Sequence, residues 1–272
     1  MADKPANGRP FYVGYLPLPR AHAVFLLVLL PLALAGLVVG ALGLARTQPA
    51  WGDGFWQTGK ATEFEGTLVL EPYPMLHVAR EGGEITTYLL VEMGKFGTRD
   101  RFASAPELDG AAVSIRGREL HRDGRRMIEV DPDDPVLGPP VTTLASETPV
   151  VRAPLVEDGG AVTIRGEVVD SKCYLGAMKP GEGRGHKSCA TLCISGGIPP
   201  VLVSRDADGV ALYHLLTDKS GAGLVGSDLE TIEPMIGETV VLSGRAGRIG
   251  SWRVLMLDDL SPKGGGVPSA SP

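Results

Sequence analysis

The chain has 272 residues, of which 37 are Gly, 22 are Pro and only three are Cys, and its formal charge is −6. That length allows one or two domains with substantial cores. A Gly plus Pro share of about a fifth argues against a helical bundle or coiled coil. The acidic balance argues against a nucleic-acid binder, which needs a basic stripe to neutralise phosphates. Three cysteines are too few for a disulfide scaffold, and their number is odd.

In chain order, the first feature is an apolar run. From Ala21 to Ala45 there is no Asp, Glu, Lys or Arg, and Arg20 and Arg46 bracket the stretch. A helix over 21–45 is about 37 Å long, enough to span a hydrocarbon core of about 30 Å. The run is longer than the apolar region of a cleaved signal peptide, so a retained anchor is expected. Residues 1–46 carry Lys4, Arg9, Arg20 and Arg46 against Asp3, a net +3; residues 47–272 carry 22 basic and 31 acidic side chains, a net −9. The positive-inside rule then places residues 1–20 in the cytoplasm and the large C-terminal portion outside it. In a bacterium this is a single-pass protein of the inner (cytoplasmic) membrane. Residues 46–61 read as a linker whose Trp51 and Trp56 suit the lipid headgroups.

Two later segments share one layout, predicting a mainly β fold with two tandem OB-like five-stranded barrels, at 62–131 and 161–260. Each opens with a strand ending in a turn, Phe64–Leu70 and Ile164–Val169. Each continues with a hairpin, Met75–Val78 with Thr87–Val91, and Val201–Val203 with Ala211–Leu216. A Gly-rich stretch that suits a short helix comes next, and two strands about a tight turn close each segment, at Asp123-Gly124 and at Ile249-Gly250. Alternating apolar and polar residues between Gly turns are the signature of half-buried strands. A Pro-rich linker is expected over 132–160 and a disordered tail over 261–272.

The repeats differ at one junction. Where the first has Glu71-Pro72-Tyr73-Pro74, the second has an insertion, 170–199, that holds Cys173, Cys189, Cys193 and His186. Ser188 and Gly196-Gly197 suit the two ends of a short helix over 189–195. On that helix Cys189 and Cys193 fall at i and i+4, on one face. Three thiolates and an imidazole make a closed tetrahedral set for zinc, and a soft set of this kind also suits copper or an iron–sulfur centre. Met178 is a further soft candidate. The spacing leaves other readings open: a disulfide from Cys173 to Cys189 or Cys193 with one spare thiol, small buried apolar residues, or a reactive thiol. Gly181–Ser188 departs from a phosphate-binding loop because His186 stands where glycine is needed. Lys172, Lys179, Arg184 and Lys187 suggest a simple anion site. No catalytic constellation stands out, and His77, His121 and His214 read as ordinary surface or core histidines.

The stretch Asp170-Ser171-Lys172-Cys173-Tyr174-Leu175-Gly176-Ala177-Met178-Lys179-Pro180-Gly181, with His186-Lys187-Ser188-Cys189-Ala190-Thr191-Leu192-Cys193 and Ile194-Ser195-Gly196-Gly197-Ile198-Pro199-Pro200, resembles a segment of uncharacterised bacterial single-span membrane-anchored proteins, as does Phe11–Pro17. The resemblance implies a setting beside periplasmic redox enzymes and supplies no activity. The expectation is a membrane-anchored metal-binding protein, an accessory or electron-transfer subunit with a membrane-associated redox partner. A thiol-redox or copper-transfer protein using Cys189 and Cys193 is the first alternative. A structural adaptor with a disulfide-stapled insertion is the second.

Overall fold

The computed structural model describes residues 18–47, 53–131, 141–144 and 150–258. The expectations for Trp51, for the N-terminal motif 11–17, for residues 132–140 and 145–149 of the Pro-rich linker and for the tail fall outside these residues. The chain divides into two compact units, Met1–Trp51 and Gly52–Pro272. In the first, α1 (Arg20–Thr47) is a 28-residue apolar helix with Pro31 inside it, the one helix among the described residues long and apolar enough to cross a membrane.

The second unit is mainly β. Its N-terminal sheet contains β1 (Phe55–Trp56), β2 (Thr62–Val69), β3 (Met75–Ala79), β4 (Ile85–Val91), β5 (Ala112–Arg122), β6 (Arg125–Val130) and β7 (Val141–Thr143), with a short α2 (Arg99–Phe102) after β4. Its C-terminal part contains β8 (Val156–Asp170), α3 (Lys187–Ser195), β9 (Pro200–Arg205), β10 (Ala211–Thr217), α4 (Ser227–Ile232), β11 (Thr239–Ile249) and β12 (Trp252–Leu257), whose five strands close into a barrel in the order β10-β12-β11-β8-β9. The same succession of pairings recurs in the N-terminal sheet, β4-β6-β5-β2-β3, and in both places the single parallel pairing joins the third strand to the last, β4 to β6 and β10 to β12.

Glycine lets the first strand of each set serve two neighbours. β2 pairs with β5 up to Thr67 and with β3 from Thr67 onward; β8 pairs with β11 up to Glu167 and with β9 from Glu167 onward. Just before each crossover, a Cβ at Gly66 would lie 2.5 Å from the His77 carbonyl oxygen, and one at Gly166 would lie 2.5 Å from that of Val203. Only glycine admits so close a backbone approach, so each strand bends there.

Three apolar clusters hold the unit. One, with Leu68, Leu76, Tyr88, Ile115 and Ile128, fills the N-terminal sheet. Another, with Val168, Leu202, Leu216, Ile236 and Leu255, fills the barrel. The third joins them, with Tyr73, Met75, Leu89, Leu120 and Met127 from one side and Val169, Tyr174, Leu215, Trp252 and Val254 from the other. Polar contacts across this junction are reciprocal. The β11–β12 turn reaches β4, where Trp252 Nε1 donates to the Thr87 carbonyl at 3.1 Å. The β5–β6 turn reaches β10, where Tyr213 donates to Asp123 Oδ2 at 2.6 Å. The β2–β3 connection meets the loop after β10: Tyr73 donates to the Leu216 carbonyl at 2.7 Å and accepts from Leu224 N at 3.0 Å. The β8–β9 connection, which is the cysteine insertion, meets the loop after β4 in the same way.

Trp56, expected among lipid headgroups, is instead half-buried against the joining cluster, because β1 pairs with β5 opposite Leu120. Within the stretch read as a linker, β7 pairs with β5, and residues after it hydrogen-bond to the N-terminal sheet, Val151 N to Thr67 Oγ1 and Ala153 N to His77 Nδ1. His214 is buried beside Ser204 Oγ, and burial, reinforced by Arg253, lowers its pKa from 6.5 to about 4. The folded state therefore resists a proton that the unfolded chain accepts. Stability is unaffected above pH 6.5 and falls as pH drops from there to about 4, by up to roughly 3 kcal/mol for a shift of this size. Thermal unfolding of the wild type and His214→Gln across this window should show a shallower pH dependence in the variant.

Candidate metal centre

The insertion leaves the barrel at Asp170, the last residue of β8. Its carboxylate is fully buried and organises the start of the insertion: Oδ1 accepts from the Cys173 backbone N–H at 2.8 Å, and Oδ2 lies 3.1 Å from His186 Nε2. Residues Cys173–Ala177 form one wide π-type turn, which buries Cys173, Tyr174 and Leu175. Tyr174 is fixed by Arg122 of β5, whose guanidinium stands 4.1 Å from the ring centroid and donates to the Tyr174 carbonyl. The chain then loops to His186, which immediately precedes α3.

The helix begins at Lys187, earlier than expected, so Ser188 lies within its first turn and caps nothing; the position ahead of the helix is His186, without a side-chain cap. The predicted face is present. Ala190 and Ile194 enter the barrel core, whereas Cys193 is buried in the joining cluster with Cys173, and Cys189 packs at its edge, partly exposed. The donor atoms of Cys173, His186 and Cys189 lie within 4.8 Å of one another, and so do those of Asp170, Cys173 and Cys193. Ligands about 2.0–2.3 Å from one ion in a tetrahedron stand about 3.3–3.8 Å apart, so either trio needs only a small contraction to hold a metal. All three cysteines are free thiols. The Asp170–His186 contact has the form of a carboxylate that orients a ligating imidazole.

The N-terminal sheet completes the site. After β4 the chain makes a tight loop, closed by a bridge between Val91 and Gly97. Gly97 N donates to the Gly196 carbonyl at 2.9 Å, and the C-terminal end of α3 lies directly on this loop. A Cβ at Gly196 would run into the Lys95 carbonyl oxygen, and one at Gly97 into that of Gly197. The glycines thus permit backbone to press on backbone. Lys172 holds the loop from the other side: its ammonium donates to the Glu92 and Gly94 carbonyls at 2.7 and 2.9 Å and pairs with buried Glu129 at 2.6 Å. So held, the loop delivers Lys95, whose Nζ lies 2.8 Å from Cys189 Sγ and 3.7 Å from Cys193 Sγ.

These contacts polarise the sulfurs. The hydrogen bond between Cys173 and Cys193 raises the Cys173 pKa, with burial and Asp170 adding to the effect. The same bond lowers Cys193 to about 7, with help from the Lys95 charge. The Cys189 hydrogen bond raises the Lys95 pKa and keeps it an ammonium. The Cys193 thiol of lowered pKa and the Lys95 ammonium thus share one pocket, and it is as the thiolate that cysteine binds metals.

Three cations of the insertion have acidic partners. Lys172 pairs with Glu129, and Arg184 and Lys187 both reach Glu238. The amide of Gly183, within the loop that resembles a phosphate cradle, donates to a Glu167 carboxylate oxygen. Met178 comes just after the wide turn and is 47% exposed. His77 and His214 are buried on strands, and His121 stacks on Phe55. Sequence reasoning named Cys173, His186, Cys189 and Cys193 but missed Asp170 as their organiser, although it stands three residues before Cys173. Lys95 carries no local signal at all, since it lies 94 residues from Cys189. No protein-family profile, curated protein or solved structure matches the chain.

Proposed function

We propose that this chain is a single-span, membrane-anchored metal-binding protein, with its N-terminus in the cytoplasm and two tandem OB-like barrels outside it. Cys173, His186, Cys189 and Cys193 ligate the ion, and Asp170 orients His186 and lies within reach as a further donor. The meeting of both donor trios at Cys173 carries this reading. The recurrence of the strand pairing and the paired glycines at 66 and 166 support the tandem arrangement. The apolar helix at the N-terminus, with basic residues ahead of it and an acidic remainder, supports the bacterial inner membrane with the barrels on the periplasmic side. A soft, thiolate-rich site in that place suits an accessory or electron-transfer subunit of a membrane-associated redox system. Zinc, copper and iron–sulfur are the candidates the donor set allows.

Metal analysis and absorption spectroscopy of the full chain, purified anaerobically in detergent, test the reading. About one metal equivalent per chain is expected, falling to trace levels in Cys173→Ser and Cys193→Ser. Zinc leaves the protein colourless, whereas Cu(II)–thiolate and iron–sulfur absorb in the visible. Three titratable thiols with no metal, either as isolated or after adding Zn(II), would refute it.

A further inference from the structure

Lys95 has no evident role in folding its own loop. The loop after β4 has a counterpart after β10: the bridge Val91–Gly97 corresponds to Thr217–Gly223, and each loop meets the connection between the first two strands of the other set. Counting from the bridge, Lys95 corresponds to Gly221, so the same loop closes without a side chain at that place. In the N-terminal copy the position carries an ammonium 2.8 Å from Cys189 Sγ. The thiols also differ in access. Cys173 and Cys193 are 5% and 2% exposed and His186 is 5% exposed, whereas Cys189 is partly open to solvent.

We propose that Cys189, held by Lys95, is the exchange position of the site, through which a soft metal ion is handed to or taken from an incoming thiolate. This deepens the metal-binding reading and rests on it. The inner donors Cys173, Cys193 and His186 retain the ion while the outer bond changes. An incoming thiolate forms a new metal–sulfur bond. The bond to Cys189 breaks with its electron pair left on sulfur, and the Lys95 ammonium stabilises the resulting charge by a hydrogen bond. No electrons are transferred, and the ion keeps its oxidation state. The same ammonium attracts the incoming anion and weakens the Cys189 bond by competing for its lone pair, so it favours exchange twice over. Metal exchange thereby depends on the N-terminal sheet although the ligands all belong to the barrel's insertion.

The test uses the full chain loaded anaerobically with Co(II), whose sulfur-to-metal charge-transfer absorption reports thiolate ligation, mixed with increasing glutathione. Decay of the band is expected to accelerate in proportion to thiol concentration. Lys95→Met should slow it by about tenfold or more, the scale typical of groups that tune metal ligands, and Lys95→Arg should restore most of the rate. A merely structural lysine would not change the order in thiol or be rescued by arginine. A rate independent of glutathione, or unchanged in Lys95→Met, overturns the exchange proposal while leaving the metal site standing. Failure to take up Co(II) at all overturns both.

Discussion

Lys172→Met is expected to destabilise the folded chain by about 3–5 kcal/mol, the range for removing one partner of a buried ion pair. Lys172 and Glu129 are 4% and 3% exposed, and the pair spans the junction between the insertion and β6. The ammonium uses all three of its donors, on the Glu129 carboxylate and on the Glu92 and Gly94 carbonyls. Methionine matches the length of the stem and the packing, but it leaves a buried carboxylate without compensation and two carbonyls without a donor. Most of the cost therefore comes from what is abandoned, and Lys172→Met combined with Glu129→Leu should recover a large part of it. Urea unfolding of the full chain in detergent, followed by tryptophan fluorescence, measures both. A loss below about 1 kcal/mol for the single variant would show that water reaches Glu129. Because the same ammonium holds the 92–97 loop, the variant should also weaken the contact of Lys95 with Cys189.

Trp252→Ala is expected to cost a comparable amount, about 3–5 kcal/mol, typical of truncating a large core aromatic. Trp252 is fully buried in the cluster that joins the sheet and the barrel, and its indole N–H donates to the Thr87 carbonyl. Alanine leaves a cavity there and an unpaired carbonyl on β4. The wild type should unfold in a single transition, since the joining cluster draws residues from both parts. The variant should unfold at a lower midpoint, with the barrel and the N-terminal sheet separating into two steps when monitored by hydrogen exchange. A single transition at an unchanged midpoint would mean that the flanking contacts of Tyr73 and Tyr213 suffice to couple the two parts.

Much of the strand plan was legible because it is written in local pattern. Alternation and glycine turns marked every strand from β2 to β6 and from β8 to β12, but β8 begins at Val156, inside the stretch read as a linker, and β5 and β11 run on to Arg122 and Ile249, well past the ends the pattern marked. The insertion stood out because two similar layouts differed at one junction. Within it, the helical spacing of Cys189 and Cys193 needed only the period of an α-helix. Ser188 misled because capping preference is weak beside the packing that starts α3 at Lys187. Trp56 misled because an amphipathic ring next to an apolar helix suits a headgroup, yet a two-residue strand and an apolar cluster claimed it. The cations of the insertion read as a simple anion site, when Lys172 is buried against a carboxylate 43 residues earlier.

Periodicity, spacing and charge along the chain decided the apolar N-terminal helix, the β character of the rest and the gathering of all three cysteines with His186 in one loop. These are short-range properties, and the residues that encode them lie within a few turns or strands of one another. Tertiary structure alone decided that Asp170 turns toward His186, that Cys173 meets Cys193 across the loop, and that Lys95 arrives at Cys189 from the other sheet. Such contacts depend on how two preformed surfaces fit, here through glycines that let two backbones touch and a buried ion pair that holds one loop in place. The result is a thiol site whose donors come from a single insertion and whose compensating charge comes from the other half of the fold.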